Sequence, residues 1–144
     1  MIEVKRIAEV LGGRSVLGKN VSSVEDLEEL VGEGLPKASL RIVCKRVFRA
    51  PGEANRCLYR VIPEATFKRR RVRLRVVESE RTERLARVVA AAEAVWEDQD
   101  DAREWLTKPH PELEGRSPVE TALNELGARR VEFLLDQLQY GLPV

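Results

Sequence analysis

The spacing of apolar residues constrains the fold of this chain more than any other feature. Between its glycines and prolines, apolar side chains recur three and four residues apart, as in the run Leu40, Val43, Cys44, Val47 and Phe48. This spacing places the side chains on one face of an α-helix, and it repeats in most segments of the chain. We therefore predict an all-α protein.

Size and hydropathy narrow the class further. The chain has 144 residues, of which 43% are hydrophobic and 34% charged, so it can bury the core of one domain or two small ones. No apolar run approaches the roughly 18 residues that a bilayer span needs, and the start of the sequence lacks the apolar stretch of a signal peptide. We expect a cytoplasmic protein with no membrane partner.

The two halves of the chain carry opposite charge. Residues 1–77 hold 17 Lys or Arg against 9 Asp or Glu, whereas residues 78–144 hold 8 against 15. We predict a domain boundary between them, with a basic helical domain at 1–77 for DNA binding and dimerisation and an acidic helical domain at 78–144. Within residues 37–75 the acidic residues are only Glu53 and Glu64, which is the composition of a surface that meets phosphate. The alternative is a solvated basic face that pairs with the acidic half of the same chain.

A helix-turn-helix is predicted inside the basic half. Such a unit needs a small residue on its first helix, a turn four residues later and an apolar anchor on the second helix; Cys57, Val61 and Phe67 stand at these places. Val61 stands where many such units have glycine, so a wider turn is expected. The start of the second helix would enter the major groove, and the cations that follow in the same helix would contact flanking phosphates. The predicted DNA-binding residues are Glu64, Thr66, Lys68, Arg69, Arg70 and Arg71. The alternative is a structural helix pair with a solvated basic end.

Local signals divide the rest of the chain. Arg alternates with Val or Leu over residues 71–77, which predicts an extended connector, and a long helix should follow from about Ser79 to Glu97 with Trp96 in its buried stripe. Ser117 and Pro118 predict a helix start. That helix should bury Leu126 and end at Gly127, and the last helix should bury its apolar residues through Leu138.

Catalytic groups are scarce. His110 is the only histidine and stands between two prolines, where an exposed loop is expected. Cys44 and Cys57 lie in apolar helical stripes and are predicted to be reduced core residues, with neither zinc spacing nor a phosphate loop nearby. We predict that the protein is no enzyme and has no catalytic residue, metal site or cofactor.

Several short motifs, taken together, resemble one bacterial family. In the first half they are Leu11-Gly12-Gly13, Val16-Leu17-Gly18, Gly34-Leu35-Pro36 and the stretch from Ile62-Pro63 to Arg70; in the second they are Glu78-Ser79-Glu80-Arg81, Ala102, Trp105-Leu106, Gly115, Ser117-Pro118, Gly127, Val131, Leu135 and Tyr140-Gly141. In this order and spacing they resemble the Xre/MbcA/ParS antitoxins that neutralise RES-domain toxins. The third residue of the 78–81 motif is Glu80, where the family more often has Asp.

The resemblance implies a stoichiometric inhibitor with a helix-turn-helix part that binds operator DNA and a small helical C-terminal bundle that binds the toxin. Members usually act as homodimers within a hetero-oligomeric complex and repress their own operon. They tend to cover the toxin's NAD-binding cleft with their C-terminal end, so any NAD chemistry belongs to the toxin. The predicted toxin-binding residues are Arg129, Arg130, Leu138, Tyr140, Gly141, Leu142, Pro143 and Val144. Two alternatives remain open at this point, a stand-alone helix-turn-helix transcriptional regulator and a helical protein-binding adaptor.

Overall fold

A computed structural model describes residues 2–141, and within them the chain is helical without a strand. This confirms the predicted all-α fold. The helices are α1 (Val4–Val10), α2 (Gly13–Leu17), α3 (Val24–Glu33), α4 (Lys37–Val47), α5 (Pro51–Val61), α6 (Glu64–Arg69), α7 (Val76–Trp96), α8 (Gln99–Thr107), α9 (Pro118–Thr121) and α10 (Glu125–Gln139), with a single 3₁₀ turn at Pro111–Leu113.

The long helix α7 organises the packing. It contacts α1, α3, α4 and α5 on the basic side of the chain and α8 and α10 on the acidic side. Its buried stripe, which includes Leu85, Val88, Val89 and Ala92, belongs to one continuous hydrophobic cluster with residues of both halves. The division into domains at residues 77 and 78 remains a prediction, and α7 begins just before it.

The connector that precedes α7 is extended, but it is shorter than predicted. Helix α7 starts at Val76 rather than near Ser79, because Glu78 accepts a hydrogen bond at 2.9 Å from the backbone amide of Arg75 and so closes the first turn. Before this turn, the connector pairs with residues 35–37: the Leu74 amide donates to the Leu35 carbonyl and the Lys37 amide to the Val72 carbonyl, both at 2.8 Å.

Gly34 makes this close approach possible. Its φ is +99°, and a Cβ at this position would lie 2.3 Å from the Leu74 carbonyl oxygen, so only glycine fits without displacing the connector. The next residue, Leu35, donates its amide to the buried hydroxyl of Ser79 at 2.8 Å. The connector and the first turn of α7 are therefore fixed to the entrance of α4.

The end of α7 corrects one prediction about the core. Trp96 was expected to be buried, yet it is 38% exposed. It is the last residue of α7, because Glu97 adopts a left-handed conformation (φ 57°) and ends the helix.

Trp105 on α8 is partly buried and contacts the His110 ring edge-on, with centroids 6.0 Å apart. His110 itself caps the 3₁₀ turn, its Nδ1 accepting from the Glu112 amide at 3.2 Å.

No helix within residues 2–141 combines the length and the apolar character that crossing a bilayer requires.

Candidate functional site

Helices α5 and α6 form a helix, turn and helix at the predicted place. Cys57, Val61 and Phe67 are all buried, as the pattern requires. Val61 is the last residue of α5, and the turn is made by Ile62 (φ −136°) and Pro63 (φ −52°), both with negative φ. The turn therefore needs no left-handed residue, and this explains why valine is compatible with the position where many such units have glycine.

Phe67 anchors α6, although that helix is only six residues long. Its ring is 1% exposed, lies 4.3 Å from the Lys37 ammonium and contacts Tyr59 edge-on at 6.4 Å. The same ammonium donates to the carbonyls of Phe67 and Arg70, at 3.0 and 2.9 Å. Lys37 thus caps the C-terminal end of α6, where its positive charge also interacts favourably with the negative end of the helix dipole.

The predicted DNA-binding residues fall into two environments. Glu64, Lys68, Arg69 and Arg71 are exposed, whereas Thr66 is half-buried. The Thr66 hydroxyl accepts from Arg69 Nη2 at 3.3 Å, and Lys68 lies 3.5 Å from the Glu64 carboxylate one helical turn earlier. Both contacts are at the surface, where an ion pair holds a side chain only weakly, so the end of α6 presents cations that remain available.

Arg70 is the exception, because its guanidinium is held in a partly buried ion pair with Glu78. It donates to both carboxylate oxygens of Glu78, at 2.8 and 2.7 Å, and the side chains are only 16% and 10% exposed. This hydrogen bonding lowers the pKa of Glu78 and raises the pKa of Arg70. Arg70 therefore fixes the end of α6 against α7, and the DNA contact predicted for it stays a prediction.

Part of the basic surface does pair with the acidic half, as the alternative to DNA binding required. Arg46 donates to both oxygens of Glu93 at 2.7 Å, Arg49 pairs with Asp100, and Arg60 lies 3.7 Å from Glu120. Among the described residues, however, no carboxylate lies within 4.0 Å of Arg69 or Arg71. The intramolecular pairing engages Arg46, Arg49 and Arg60 but leaves the end of α6 basic.

On the acidic side, the start of α10 differs from the prediction. Gly127 does not end a helix; it lies in the first turn of α10, where a Cβ would meet the Thr121 carbonyl oxygen at 1.8 Å. Asn124 caps this turn by accepting from the Gly127 amide at 2.8 Å. The helix predicted from Pro118 to Leu126 consequently ends at Thr121, and Leu126, expected inside, is 70% exposed.

Both arginines predicted to bind the partner at the start of α10 have carboxylate neighbours. Arg129 lies 3.2 Å from Glu125, and Arg130 donates to both oxygens of Glu114 at 2.8 Å and to the Glu112 carbonyl at 2.9 Å. Hydrogen bonding from Arg130 lowers the pKa of Glu114 to about 2. Arg130 thus ties α10 to the loop before α9, and its charge is largely compensated.

The end of α10 leaves the core. Leu138, predicted to be buried, is 40% exposed, and Tyr140 is 63% exposed. Gly141 is exposed and has a φ of +65°. The remaining predicted residues, Leu142, Pro143 and Val144, lie outside the described residues.

The sequence reasoning missed an apolar row on the outer face of α10. Leu126, Phe133 and Tyr140 stand seven residues apart, and they are 70%, 63% and 63% exposed. Seven residues are close to two helical turns, so the three side chains share one face. The seven-residue spacing was the signal that could have shown this row.

Comparison with known proteins identifies the region that contains this row. Residues 91–141 match the family model described as the antitoxin Xre/MbcA/ParS C-terminal toxin-binding domain. The C-terminal part of the chain is similar to the toxin-binding domain of the Xre/MbcA/ParS antitoxins. The matched region holds the end of α7 and all of α8, α9 and α10, which confirms the family resemblance seen in the sequence.

A curated relative extends the similarity. Over 84 residues the chain is 37% identical to a protein named Antitoxin Xre from Pseudomonas putida (strain KT2440), an alignment that covers 56% of this chain and 53% of the relative. The alignment with this Xre antitoxin therefore spans about half of the relative's length.

Proposed function

We propose that this protein is an antitoxin that binds a RES-domain toxin, covers the toxin's NAD-binding cleft with its C-terminal region and represses its own operon by binding DNA. One observation carries the proposal: the region matched to a toxin-binding domain ends where α10 leaves the core with Leu138 and Tyr140 exposed. The antitoxin would act by occupying the cleft stoichiometrically, not by catalysis.

The inhibitory segment is proposed to be residues 138–144. Exposed apolar side chains at the end of an otherwise well-packed helix favour insertion into a partner's pocket, since their burial there removes apolar surface from water. Tyr140 adds a hydroxyl that can bond to polar groups in a cleft built for a nucleotide. Such a cleft is blocked when the segment fills it.

The operator-binding part is proposed to be α5 and α6, with Lys68, Arg69 and Arg71 on phosphates and Glu64 and Thr66 near the groove. The support is the exposed, basic end of a helix that Phe67, Lys37 and Arg70 hold rigidly.

We further propose that the protein works as a homodimer within a complex with the toxin, because two-fold operators are read by two such units.

Co-expression with the neighbouring reading frame tests the proposal. We expect a tagged antitoxin to capture a small toxin that depletes NAD when freed from the complex. Deleting residues 140–144 should leave the antitoxin folded, as judged by its circular dichroism and unfolding midpoint, but should restore NAD depletion by the toxin.

The control is Lys5→Ala, which changes an exposed residue with no proposed role in binding and should inhibit fully. If the truncated protein inhibits as well as the intact one, the cleft-covering segment is wrong. Capture of DNA without any toxin would instead favour a stand-alone transcriptional regulator, which the basic end of α6 also fits. Capture of a protein partner without NAD chemistry or DNA binding would favour a helical adaptor.

A further inference from the structure

The outer face of α10 carries exposed apolar side chains that the core does not use. Its row of Leu126, Phe133 and Tyr140 runs from the second residue of α10 to the residue that follows its end, a length of about 21 Å at 1.5 Å per residue. The buried residues of the same helix, among them Val131 and Leu135, turn toward α7 on the opposite side. The row therefore faces solvent over the whole length of α10.

The two arginines beside the row are paired with carboxylates. Arg130, which shares its face, is neutralised by two hydrogen bonds to Glu114, and Arg129 at its edge pairs with Glu125. A partner that covers the row buries apolar surface without having to supply a carboxylate for either arginine.

The row is also held rigidly before any partner arrives. Gly127 lets the first turn of α10 lie directly on the Thr121 carbonyl, and Asn124 caps that turn. Arg87 of α7 donates to both carboxylate oxygens of Glu132, at distances of 3.2 to 3.3 Å, and so fixes the middle of the helix. A preorganised helix face loses little entropy on binding.

From these observations we infer that Leu126 and Phe133 form a toxin-docking anchor that is separate from the inhibitory segment at residues 138–144. The inference rests on the proposed function, since the row lies inside the region matched to a toxin-binding domain. The occupant is the toxin, which presents an apolar groove that receives one face of α10, a recognised mode in which anchors repeat at helical spacing. The anchor supplies affinity, and the segment beyond it supplies inhibition.

Separating the two roles requires two variants of the full chain. In the first, Leu126→Ser is combined with Phe133→Ser; both side chains are more than 60% exposed, so the fold should be retained. In the second, residues 140–144 are deleted. The toxin, made with its own catalytic residue inactivated so that it can be purified alone, is titrated with each antitoxin in a calorimeter.

We expect the double substitution to weaken toxin binding at least about thirtyfold, as loss of a central apolar anchor does. The deletion should weaken binding less than the double substitution while abolishing inhibition of the active toxin. Val72→Ser is the control, because Val72 is also 70% exposed but lies outside the matched region; it should bind like the unchanged protein.

Three results would overturn the inference. If the unchanged protein binds no toxin, the proposed function fails and the anchor falls with it. If toxin binding is intact but insensitive to the double substitution, only the anchor is wrong. If the double substitution turns a dimer into a monomer and leaves toxin affinity unchanged, the row joins two copies of this chain.

Discussion

The end of α6 and the outer face of α10 are both exposed, but they expose opposite kinds of side chain. Helix α6 presents Lys68, Arg69 and, just beyond it, Arg71, whereas α10 presents Leu126, Phe133 and Tyr140. A row of cations remains well solvated without a partner, and it is attracted to a polyanion over a distance. An apolar row, by contrast, contributes favourable binding free energy only when a complementary surface covers it and removes it from water.

The two surfaces also differ in how they are held. A single aromatic anchor and two charged side chains fix the six-residue α6. The fifteen-residue α10 packs along α7 and is seated by a glycine. A short helix with one anchor should be easy to loosen by itself, and a long packed helix should not. Variants on each side therefore test whether the two surfaces are independent.

The largest effect is expected from Phe67→Ala. Removing this fully buried ring should destabilise the protein by about 4 kcal/mol, measured by urea unfolding, and should abolish DNA binding because α6 loses its anchor. Toxin capture in the cold, where the variant remains folded, should persist. Thr66→Ala on the same helix is the control and should change stability little. Loss of toxin capture by a folded Phe67→Ala protein would show that the two surfaces depend on each other.

An intermediate effect is expected from Glu78→Gln, which removes the charge that Arg70 faces. The pKa of Glu78 is lowered in the folded protein, so the carboxylate stabilises the fold above its unfolded pKa of about 4.3, and this stabilisation is lost as the pH falls through the lower folded pKa. At pH 7 the variant should melt roughly 5 °C below the unchanged protein. The difference should narrow as the pH falls below 4.

Glu80→Gln, an exposed residue two positions further along α7, is the control and should show no such narrowing. A melting difference for Glu78→Gln that stays constant from pH 7 to pH 3 would mean that the pair with Arg70 does not hold α6 against α7.

The smallest effect is expected when Arg69 and Arg71 are both changed to Ala. Because these cations are proposed to meet phosphates, affinity for a duplex from upstream of the operon should fall about tenfold at 50 mM salt, and the slope of log affinity against log salt should shrink by roughly 2. Fluorescence anisotropy at several salt concentrations measures both. The exposed pair Lys5 and Arg14, changed to Ala together, removes the same charge from α1 and α2; equal losses in the two variants would mean that the end of α6 has no special role.

Sequence patterns predicted most helices, but they did not predict correctly which face of every helix is buried. The stripe from Leu40 to Phe48 and the capping of α9 by Ser117, whose hydroxyl accepts from the Glu120 amide at 3.2 Å, follow from residues close in sequence. Gly127 was misread because a glycine that ends a helix and a glycine that lets a helix touch another backbone look the same in sequence. A helix that ends at Gly127 would also bury Leu126, whereas in the structure Leu126 begins the exposed row on α10.

Arg70 illustrates the same limit for a charged residue. In the sequence it is one of four consecutive cations, from Lys68 to Arg71, and nothing local separates it from the other three. Only the packing of the connector against residues 34–37 brings Glu78 within 2.8 Å of its guanidinium.

By itself, the sequence determined the helical class, the place of the α5–α6 pair and the resemblance to the Xre/MbcA/ParS antitoxins, because periodicity, capping residues and ordered short motifs are local properties of the sequence. Only the tertiary structure decided which cations remain available and which apolar residues face outward. Those outcomes depend on how the chain turns in three dimensions, which brings Glu78 onto Arg70 and the Thr121 carbonyl onto Gly127. Helical periodicity does not encode such contacts, because each crosses a break between two helices.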